Sequence, residues 1–434
     1  MSKPNLTFWQ IINMNVGFFG IQYSFGLQQS AVNPIYDFLG AAPEEVPWLN
    51  MAGPVTGLLV QPIIGALSDK TWHPKFGRRK PYFFVGATLC SLCLFLFPFS
   101  STLWMAAGLL WLLDAGNNTA MEPYRAFIAD KLDEPQQPIG FQAQSFFTAF
   151  GQTLANFSLF LFPMIIIGKT GAIPNWVFGS FFLGSFCSVG SVWWSIRTTP
   201  EIPPTEDQAR KLNQSNHSIA EPFKEIFSAI RDMPKVMWQL ALVYFFQWYA
   251  LFCYWQNSSK SVAASVWKTF DYQNNPTYEQ AVSWTGLVNG SYNIVAFLSA
   301  FALVWFVKKY SARVVHFVCL VLTGIGFITF SFIENKYLLF PAIAGFGIGW
   351  ASMMGVPYLL VVSSIPKERY GVYMGIINMM IVIPMLLQTV TFGYILKNWL
   401  GSDPSKAILF AGILILIASA LTLRIQSNKS QATS

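Results

Sequence analysis

The chain has 434 residues, of which 53% are hydrophobic and 11% are charged. A soluble domain carries roughly 25% charged residues, so this composition excludes an ordinary soluble globular protein and indicates a protein built for lipid. The formal net charge of +7 does not indicate a nucleic-acid partner, because the basic residues follow a membrane pattern described below.

Twelve apolar runs are long enough to cross a hydrocarbon core of ~30 Å as helices. They cover residues 8–29, 48–68, 82–100, 103–129, 141–167, 175–196, 236–256, 280–307, 314–333, 337–363, 372–397 and 405–424. The sequence therefore predicts an all-α membrane protein with twelve transmembrane helices.

The longest polar stretch, residues 197–235, separates the first six spans from the last six. Its proline-rich start would resist a continuing helix, and we predict a short amphipathic helix near residues 221–231. We therefore expect a bundle at 1–196, a cytoplasmic linker at 197–235 and a second bundle at 236–434.

The basic residues are distributed unevenly about these spans. With both termini placed in the cytoplasm, 20 of the 27 Lys and Arg residues fall in inside segments, six fall in outside loops and Arg125 falls in a span. This bias follows the positive-inside rule. It predicts a multi-pass protein of the cell membrane with both termini cytoplasmic, and it explains the net charge without a nucleic-acid ligand.

Three charged side chains fall well inside the predicted spans, and all lie in the fourth one: Asp114, Glu122 and Arg125. At ~100° per residue they share one helix face with Asn118. Ionisable groups cost from about 2.5 to more than about 10 kcal/mol inside a bilayer, so they usually face a protein interior or a water-filled cavity. This polar stripe, inside a bundle of twelve spans, is typical of a transporter.

Spacing along the fourth span decides which of these groups can pair. Arg125 lies eleven residues, or ~16 Å, from Asp114, which is too far for a direct pair. Glu122 is three residues from Arg125 and is its expected partner. The alternatives are that Arg125 snorkels towards the cytoplasmic headgroups and that Asp114 has a purely structural role.

The two halves of the chain resemble one another at an offset of 234 residues. Pro123-Tyr124 matches Pro357-Tyr358, whereas Glu122 becomes Val356 and Arg125 becomes Leu359. Parallel repeats of six spans are the plan of the major facilitator superfamily, in which substrate lies between the halves near the midplane. We infer that the first half carries ion coupling and that the second supplies mainly packing and substrate contacts.

A basic loop at residues 65–81 follows the second span. It resembles the signature loop of the major facilitator superfamily at Gly65, Asp69, Gly77, Arg78 and Arg79. An acid at a helix end and a basic turn can clamp neighbouring helices and stabilise one state of a carrier, so we predict a gating role for Asp69, Gly77, Arg78 and Arg79. Asp130 is a candidate partner of Arg78 or Arg79. The alternative is simple positive-inside anchoring of this loop.

Four motifs in the first 150 residues resemble the sucrose–proton symporters, a group within the glycoside–cation symporters. They lie at residues 20–30, 60–69, 76–81 and 113–119. The resemblance implies that Asp114 and Arg125 are needed for proton-coupled sugar transport. One departure is Glu122, which stands where plant members have glycine, so plant sucrose specificity does not follow.

Sugar hydroxyls need partners that donate and accept at once, which is what side-chain amides do. The mid-span amides are therefore the candidate substrate contacts: Gln22, Gln28, Asn117, Asn118, Gln152, Asn156, Gln247, Asn289 and Asn293.

The resemblance implies import of a disaccharide or related glucoside, sucrose-like or maltose-like, with protons by alternating access. The alternatives are a symporter of a monosaccharide or other glycoside, possible sodium coupling, and a sugar sensor without transport. We expect a monomer that is not an enzyme and has no cofactor other than the coupling proton. We also expect no metal site, because the three histidines are scattered and the five cysteines lie in apolar segments.

Overall fold

In a computed structural model, the described residues are 5–74, 76–133, 135–201, 203, 228–273, 275–361, 365 and 370–425. Most of the predicted linker, residues 204–227, lies outside them, as does most of the amphipathic helix predicted near residues 221–231.

Within these residues, twelve α-helices have 17 or more residues, and two are short. In chain order they are α1 (Phe8–Ser30), α2 (Val32–Phe38), α3 (Val46–Leu49), α4 (Ala52–Lys70), α5 (Lys80–Leu96), α6 (Leu103–Lys131), α7 (Gln137–Leu161), α8 (Asn175–Thr198), α9 (Lys235–Val266), α10 (Pro276–Lys309), α11 (Ala312–Phe332), α12 (Leu339–Val361), α13 (Tyr370–Asn398) and α14 (Pro404–Thr422). A short hairpin of β1 (Lys169–Thr170) and β2 (Ile173–Pro174) precedes α8. The prediction of an all-helical protein with twelve long helices is confirmed.

Several helices begin where a side chain caps the first turn. The Thr7 side chain accepts from the Gln10 backbone N–H, while the Gln10 side chain accepts from the Thr7 N–H, which makes a capping box for α1. Thr102 caps α6 and Asp403 caps α14 in the same way, by accepting from backbone N–H groups. At these three helices the observed start lies within one residue of the predicted one.

Eight of the described helices are long and apolar enough to cross a membrane by length and composition alone. The remaining four long helices, α1, α4, α6 and α7, all precede α8. Their lower hydropathy comes from the amide and charged side chains that form the candidate site. Polarity is thus concentrated in one part of the chain rather than spread over it.

The described chain forms two compact units. The first contains the residues up to Leu39 and those from Val55 to Pro203, and the second contains Gly40–Pro54 and the residues from Ser228 onward. In the first unit, α1 packs against α7 and α8, and α5 packs against α6 and α8. In the second, α9 and α11 each pack against α14, and α12 packs against α10 and α11.

One sequence prediction about charge is wrong. Helix α9 continues to Val266, ten residues beyond the predicted end of its span, and the added length contains Lys260 with 1% of its surface exposed. Charged residues buried in long helices are therefore not confined to the fourth span. The run Gln256–Ser261 is polar, so hydropathy ended the predicted span too early.

The segment Gly40–Pro54 belongs to the second unit although it connects two helices of the first. The Lys397 Nζ lies 3.1 Å from a Glu44 carboxylate oxygen, and Gly393 of α13 approaches the Glu44 carbonyl closely. A backbone N–H holds the pKa of Glu44 below its ordinary value, and Lys397 acts in the same direction. Glu44 therefore stabilises the fold above the ordinary glutamate pKa of about 4.3, and this stabilisation is lost as the pH falls through the lowered pKa.

We expect Gly393→Ala to destabilise the second unit, because the new Cβ would lie 2.4 Å from the Glu44 carbonyl oxygen. Overpacking of this kind costs about 1–3 kcal/mol. Gly375→Ala on the same helix is the matched control, since its Cβ would meet nothing within 4 Å. Thermal unfolding in detergent should show a lower midpoint for Gly393→Ala and an equal or higher one for Gly375→Ala. Equal midpoints for the two variants would contradict the packing of this segment on α13.

Candidate functional site

Asp114 lies near the middle of α6 with 2% of its surface exposed. Its carboxylate accepts three side-chain hydrogen bonds. Gln28 Nε2 of α1 donates to Oδ1 at 2.6 Å, Asn118 Nδ2 of α6 donates to Oδ2 at 2.8 Å, and the Thr56 hydroxyl of α4 also donates to Oδ2. These four residues, which we call the Asp114 cluster, all belong to the first unit.

A second layer of polar groups orients the amides of the Asp114 cluster. Gln61 Nε2 donates to Asn118 Oδ1 at 2.7 Å, and Asn117 Nδ2 lies 3.4 Å from Gln28 Oε1. The Cys90 thiol in turn donates to Asn117 Oδ1 at 3.1 Å. Each amide therefore directs its N–H groups towards Asp114 and its oxygen away from it, which is the arrangement that an acceptor-only carboxylate requires.

Small residues allow the helices behind the cluster to approach closely. A Cβ at Gly86 of α5 would lie 2.6 Å from the Ala120 backbone nitrogen, and one at Gly116 of α6 would lie 2.9 Å from Cys90 Sγ. Small residues at such contacts let membrane helices pack backbone to backbone. This close contact explains how Cys90 reaches Asn117.

Glu122 and Arg125 form a separate pair further along α6. Arg125 Nη1 lies 3.8 Å from Glu122 Oε2, and the two side chains are 49% and 37% exposed. The predicted partnership of these two residues is confirmed. The structure thus divides the predicted stripe into a buried part around Asp114 and Asn118 and a half-exposed ion pair.

The other first-unit amides form a second group between α1 and α7. Gln152 Nε2 donates to Gln22 Oε1 at 2.9 Å, and Asn156 Nδ2 donates to the Gln152 carbonyl at 2.8 Å. The Asn156 Oδ1 atom is buried and has no hydrogen-bond partner among the described residues.

The second unit holds the remaining predicted amides on α9 and α10. The Tyr254 hydroxyl donates to Asn289 Oδ1 at 2.8 Å, and Asn293 Nδ2 lies 3.2 Å from the Asn289 carbonyl. Gln247 is fully buried, and neither its Nε2 nor its Oε1 has a hydrogen-bond partner in the described part of the chain. On the next residue, the Trp248 ring packs against Trp350 at a centroid distance of 6.0 Å.

The basic loop is a defined structure rather than a loose anchor. Arg79 is 4% exposed; its Nε donates to Asp130 Oδ2 at 2.7 Å and its Nη1 donates to Ser68 Oγ at 2.6 Å. The predicted pairing of Asp130 with one of the two arginines is therefore confirmed for Arg79. Arg78 Nε reaches the Ser68 carbonyl at 3.3 Å. Asp69 lies at the end of α4, and its side chain is outside the described part of the structure.

Glu201, which the sequence reasoning missed, occupies the turn of this loop. Its carboxylate accepts from the backbone N–H groups of Arg78 at 2.7 Å, Arg79 at 3.0 Å and Lys80 at 2.9 Å. Gly77 has a φ of +79°, and a Cβ there would lie 2.6 Å from the Glu201 carboxyl carbon. The glycine is therefore required both for the turn and for the approach of the carboxylate.

Thr56 and Gln61 were also missed, although Gln61 lies inside one of the motifs quoted above. A threonine in an apolar span gives little signal by itself, and its role follows from the distance to Asp114, which is a tertiary contact. Among the described residues, no cluster of three or more His, Cys, Asp or Glu side chains could hold a metal ion.

Comparison with known proteins agrees with this architecture. The family model described as Major Facilitator Superfamily matches residues 14–389. The chain is similar to the sucrose transport protein SUT5 of Oryza sativa subsp. indica, with 23% identity covering 86% of this chain and 79% of that protein. It is also similar to the sucrose transport protein SUC4 of Arabidopsis thaliana, with 24% identity covering 86% and 81%.

Two solved structures share the fold. The nucleoside transporter NupG superposes with a TM-score of 0.70 at 14% identity, covering 97% of this chain and 99% of that one. The xylose transporter XylE from E. coli, in a partially occluded inward-open conformation, gives a TM-score of 0.69 at 12% identity, covering 98% and 99%. The fold and its polar centre define a multi-pass membrane transporter. The chain belongs to the Major Facilitator Superfamily.

We expect Glu201→Gln to lower the stability of the first unit by about 1–2 kcal/mol, because hydrogen bonds from backbone N–H groups to a charged carboxylate are stronger than those to a neutral amide. Glu334→Gln is the control, since Glu334 pairs with Lys268 at a surface where the two side chains are 73% and 59% exposed and such pairs contribute little. Thermal unfolding in detergent compares them. If Glu201→Gln unfolds at the same temperature as the control, the carboxylate does not hold the basic loop.

Proposed function

We propose that this protein imports a disaccharide or related glucoside, sucrose-like or maltose-like, together with protons by alternating access. It does so in the cell membrane, with both termini in the cytoplasm, and acts as a monomer. The observation that carries the proposal is the buried Asp114 carboxylate, held by three donors on three helices. The similarity to sucrose transport proteins supports the choice of a sugar.

A buried carboxylate in a membrane helix is suited to bind a proton reversibly. Its ionised form is costly away from water, and protonation removes the charge. When substrate and proton each favour the same conformation of a carrier, each increases the affinity for the other by the same factor. Asp114 is therefore the proposed coupling acid, and the half-exposed pair of Glu122 and Arg125 is the proposed route or modulator.

The amide groups support a polyhydroxylated substrate. Each buried polar group without a hydrogen-bond partner lowers the stability of the fold by about 1–3 kcal/mol. Such a group is therefore retained most readily where a ligand completes its hydrogen bonds. Gln247 and Asn156 have such atoms. The ring of Trp248, the residue after Gln247, packs against Trp350, and such rings provide flat apolar surfaces of the kind that pack against sugar rings.

We expect Asp114→Asn to abolish uphill accumulation of sugar while preserving exchange, because an asparagine keeps the hydrogen-bonding shape but cannot bind and release a proton. The measurement is uptake of radiolabelled sucrose into proteoliposomes, with and without an imposed pH gradient. Competition by maltose, trehalose and glucose in the same assay identifies the substrate. Glu122→Gln, which changes the exposed pair, should retain accumulation with an altered pH dependence.

Three outcomes would overturn this proposal. Accumulation by Asp114→Asn equal to that of the parent would show that Asp114 is not the coupling acid. Accumulation driven by a sodium gradient instead of a pH gradient would show that sodium, not the proton, is the coupling ion. Binding of sugar without any uptake would indicate a sensor.

We expect Gln247→Met to raise the unfolding temperature of the ligand-free protein and to weaken sugar binding at least tenfold. The substitution removes two unsatisfied polar atoms but also removes the groups proposed to bind the sugar. Gln256→Met is the matched control on the same helix, because the Gln256 amide is paired with Gln388 at 2.9 Å, so its loss should lower the unfolding temperature. Thermal unfolding with and without sugar measures both effects. A lower unfolding temperature for Gln247→Met would show that the amide is already satisfied in the empty protein.

A further inference from the structure

The hydrogen bonds of the Asp114 cluster all run in one direction. Gln28, Asn118 and Thr56 each donate to the carboxylate, and the amide oxygens of Gln28 and Asn118 accept from Asn117 and Gln61 behind them. This arrangement satisfies an ionised Asp114. A protonated Asp114 has one O–H that must itself find an acceptor.

The two amides of the cluster are poorly placed to accept that hydrogen bond. Their NH2 groups face Asp114 and have no lone pair to offer. Turning Gln28 would bring its NH2 group against the NH2 group of Asn117, and turning Asn118 would do the same against Gln61. Each amide could reverse only if the groups behind it reversed as well, including the Asn117 contact with the Cys90 thiol.

Thr56 differs from the amides because its hydroxyl can exchange donation for acceptance by rotating about a single bond. A threonine in a helix can donate to the carbonyl four residues earlier, which is that of Ala52. Thr56 Oγ1 already lies 3.2 Å from Asn118 Nδ2, so its oxygen is placed to accept. No other group among the three donors has both properties.

We propose that Thr56 is a positioning residue for proton coupling: it donates to Asp114 when the acid is ionised and accepts from it when the acid is protonated. The proposal rests on the proposed role of Asp114 in proton transport. In the protonation step, a hydronium ion transfers its proton to Asp114 Oδ2 and leaves as water, and the Thr56 O–H turns away so that its oxygen receives the new hydrogen bond. Deprotonation reverses both changes.

Thr56 is better placed for this role than the titratable groups on the neighbouring helices. Helices α1 and α7 carry no Asp, Glu, Lys, Arg or His. Helix α4 carries Asp69 and Lys70 at its far end, and α5 begins at Lys80 and contributes the Cys90 and Cys93 thiols. The α2 residue Asp37 is buried, and on α6 itself Glu122 and Arg125 lie two turns or more beyond Asp114.

Removing the hydroxyl should affect the two protonation states unequally. In Thr56→Val, the ionised form keeps one amide donor on each carboxylate oxygen, whereas the protonated form has a buried O–H without an acceptor. An unsatisfied buried donor costs more than the loss of one bond among several. The substitution therefore destabilises the protonated form more than the ionised form. Asp114 should bind a proton about tenfold more weakly, which moves its titration by about one pH unit towards acid. If Thr56 served as a donor alone, the same variant would move the titration towards alkaline pH.

Infrared spectroscopy tests this without any sugar. The carboxylic-acid C=O stretch of Asp114 is followed against pH in the purified full-length protein and is assigned by its loss in Asp114→Asn. Thr56→Val and Thr56→Ala should both show the acid shift, and Thr56→Ser, which retains the hydroxyl, should titrate like the parent. Thermal unfolding identifies any variant that fails to fold. If Thr56→Val or Thr56→Ala does not fold, the titration of the other variant tests the role of Thr56.

The outcomes separate this inference from the function on which it rests. An unchanged or alkaline-shifted titration in folded Thr56→Val and Thr56→Ala overturns the role of Thr56, while Asp114→Asn can still abolish proton-driven accumulation. Accumulation that survives Asp114→Asn overturns the proposed function itself, and the role of Thr56 with it.

Discussion

The cost of keeping the Asp114 carboxylate out of water accounts for the polar contacts between α1, α4 and α6 of the first unit. Asp114 has 2% of its surface exposed, and an ionised group in that position is tolerated only when polar partners replace the lost hydration. Helices α1, α4 and α6 each contribute a donor, and close packing of α5 on α6 brings the Cys90 thiol to Asn117 behind them. Three of the four long helices that are too polar to count as membrane spans by composition, α1, α4 and α6, supply this acid and its donors.

The two units divide the chemistry unequally. At the positions equivalent to Glu122 and Arg125, the second half has Val356 and Leu359, and its polar centre consists instead of amides and aromatic rings. Lys260 qualifies this division, because it is a buried cation near Glu44 within the second unit. Glu44, which pairs with Lys397, lies in the connection between α2 and α4, so this acid of the second unit comes from the first half of the sequence.

The sequence predicted features that depend on residues close together along the chain, and it did not predict contacts between residues far apart along it. Helix positions, the Glu122–Arg125 pair and the prominence of Asp114 follow from hydropathy and helical spacing, which are local. Thr56 and Glu201 become important only through contacts with residues 58 and more than 120 positions away, and no periodicity reports such contacts. Lys260 was placed outside its helix for a different reason. Hydropathy averaged along the chain treats a buried polar run as the end of a span.

The basic loop has a more defined hydrogen-bonded structure than its composition alone predicts. Positive-inside anchoring requires cations that reach water or headgroups, yet Arg79 is 4% exposed and bonded to Asp130 and Ser68. Three consecutive backbone N–H groups receive Glu201, and Lys131 Nζ bonds the adjacent Pro200 carbonyl at 2.7 Å. The loop therefore joins α4, α5, α6 and the segment after α8 into one hydrogen-bonded structure. Because Arg79 donates to Asp130 through its side chain and to Glu201 through its backbone N–H, loss of either acid would leave a donor of this buried residue without its partner.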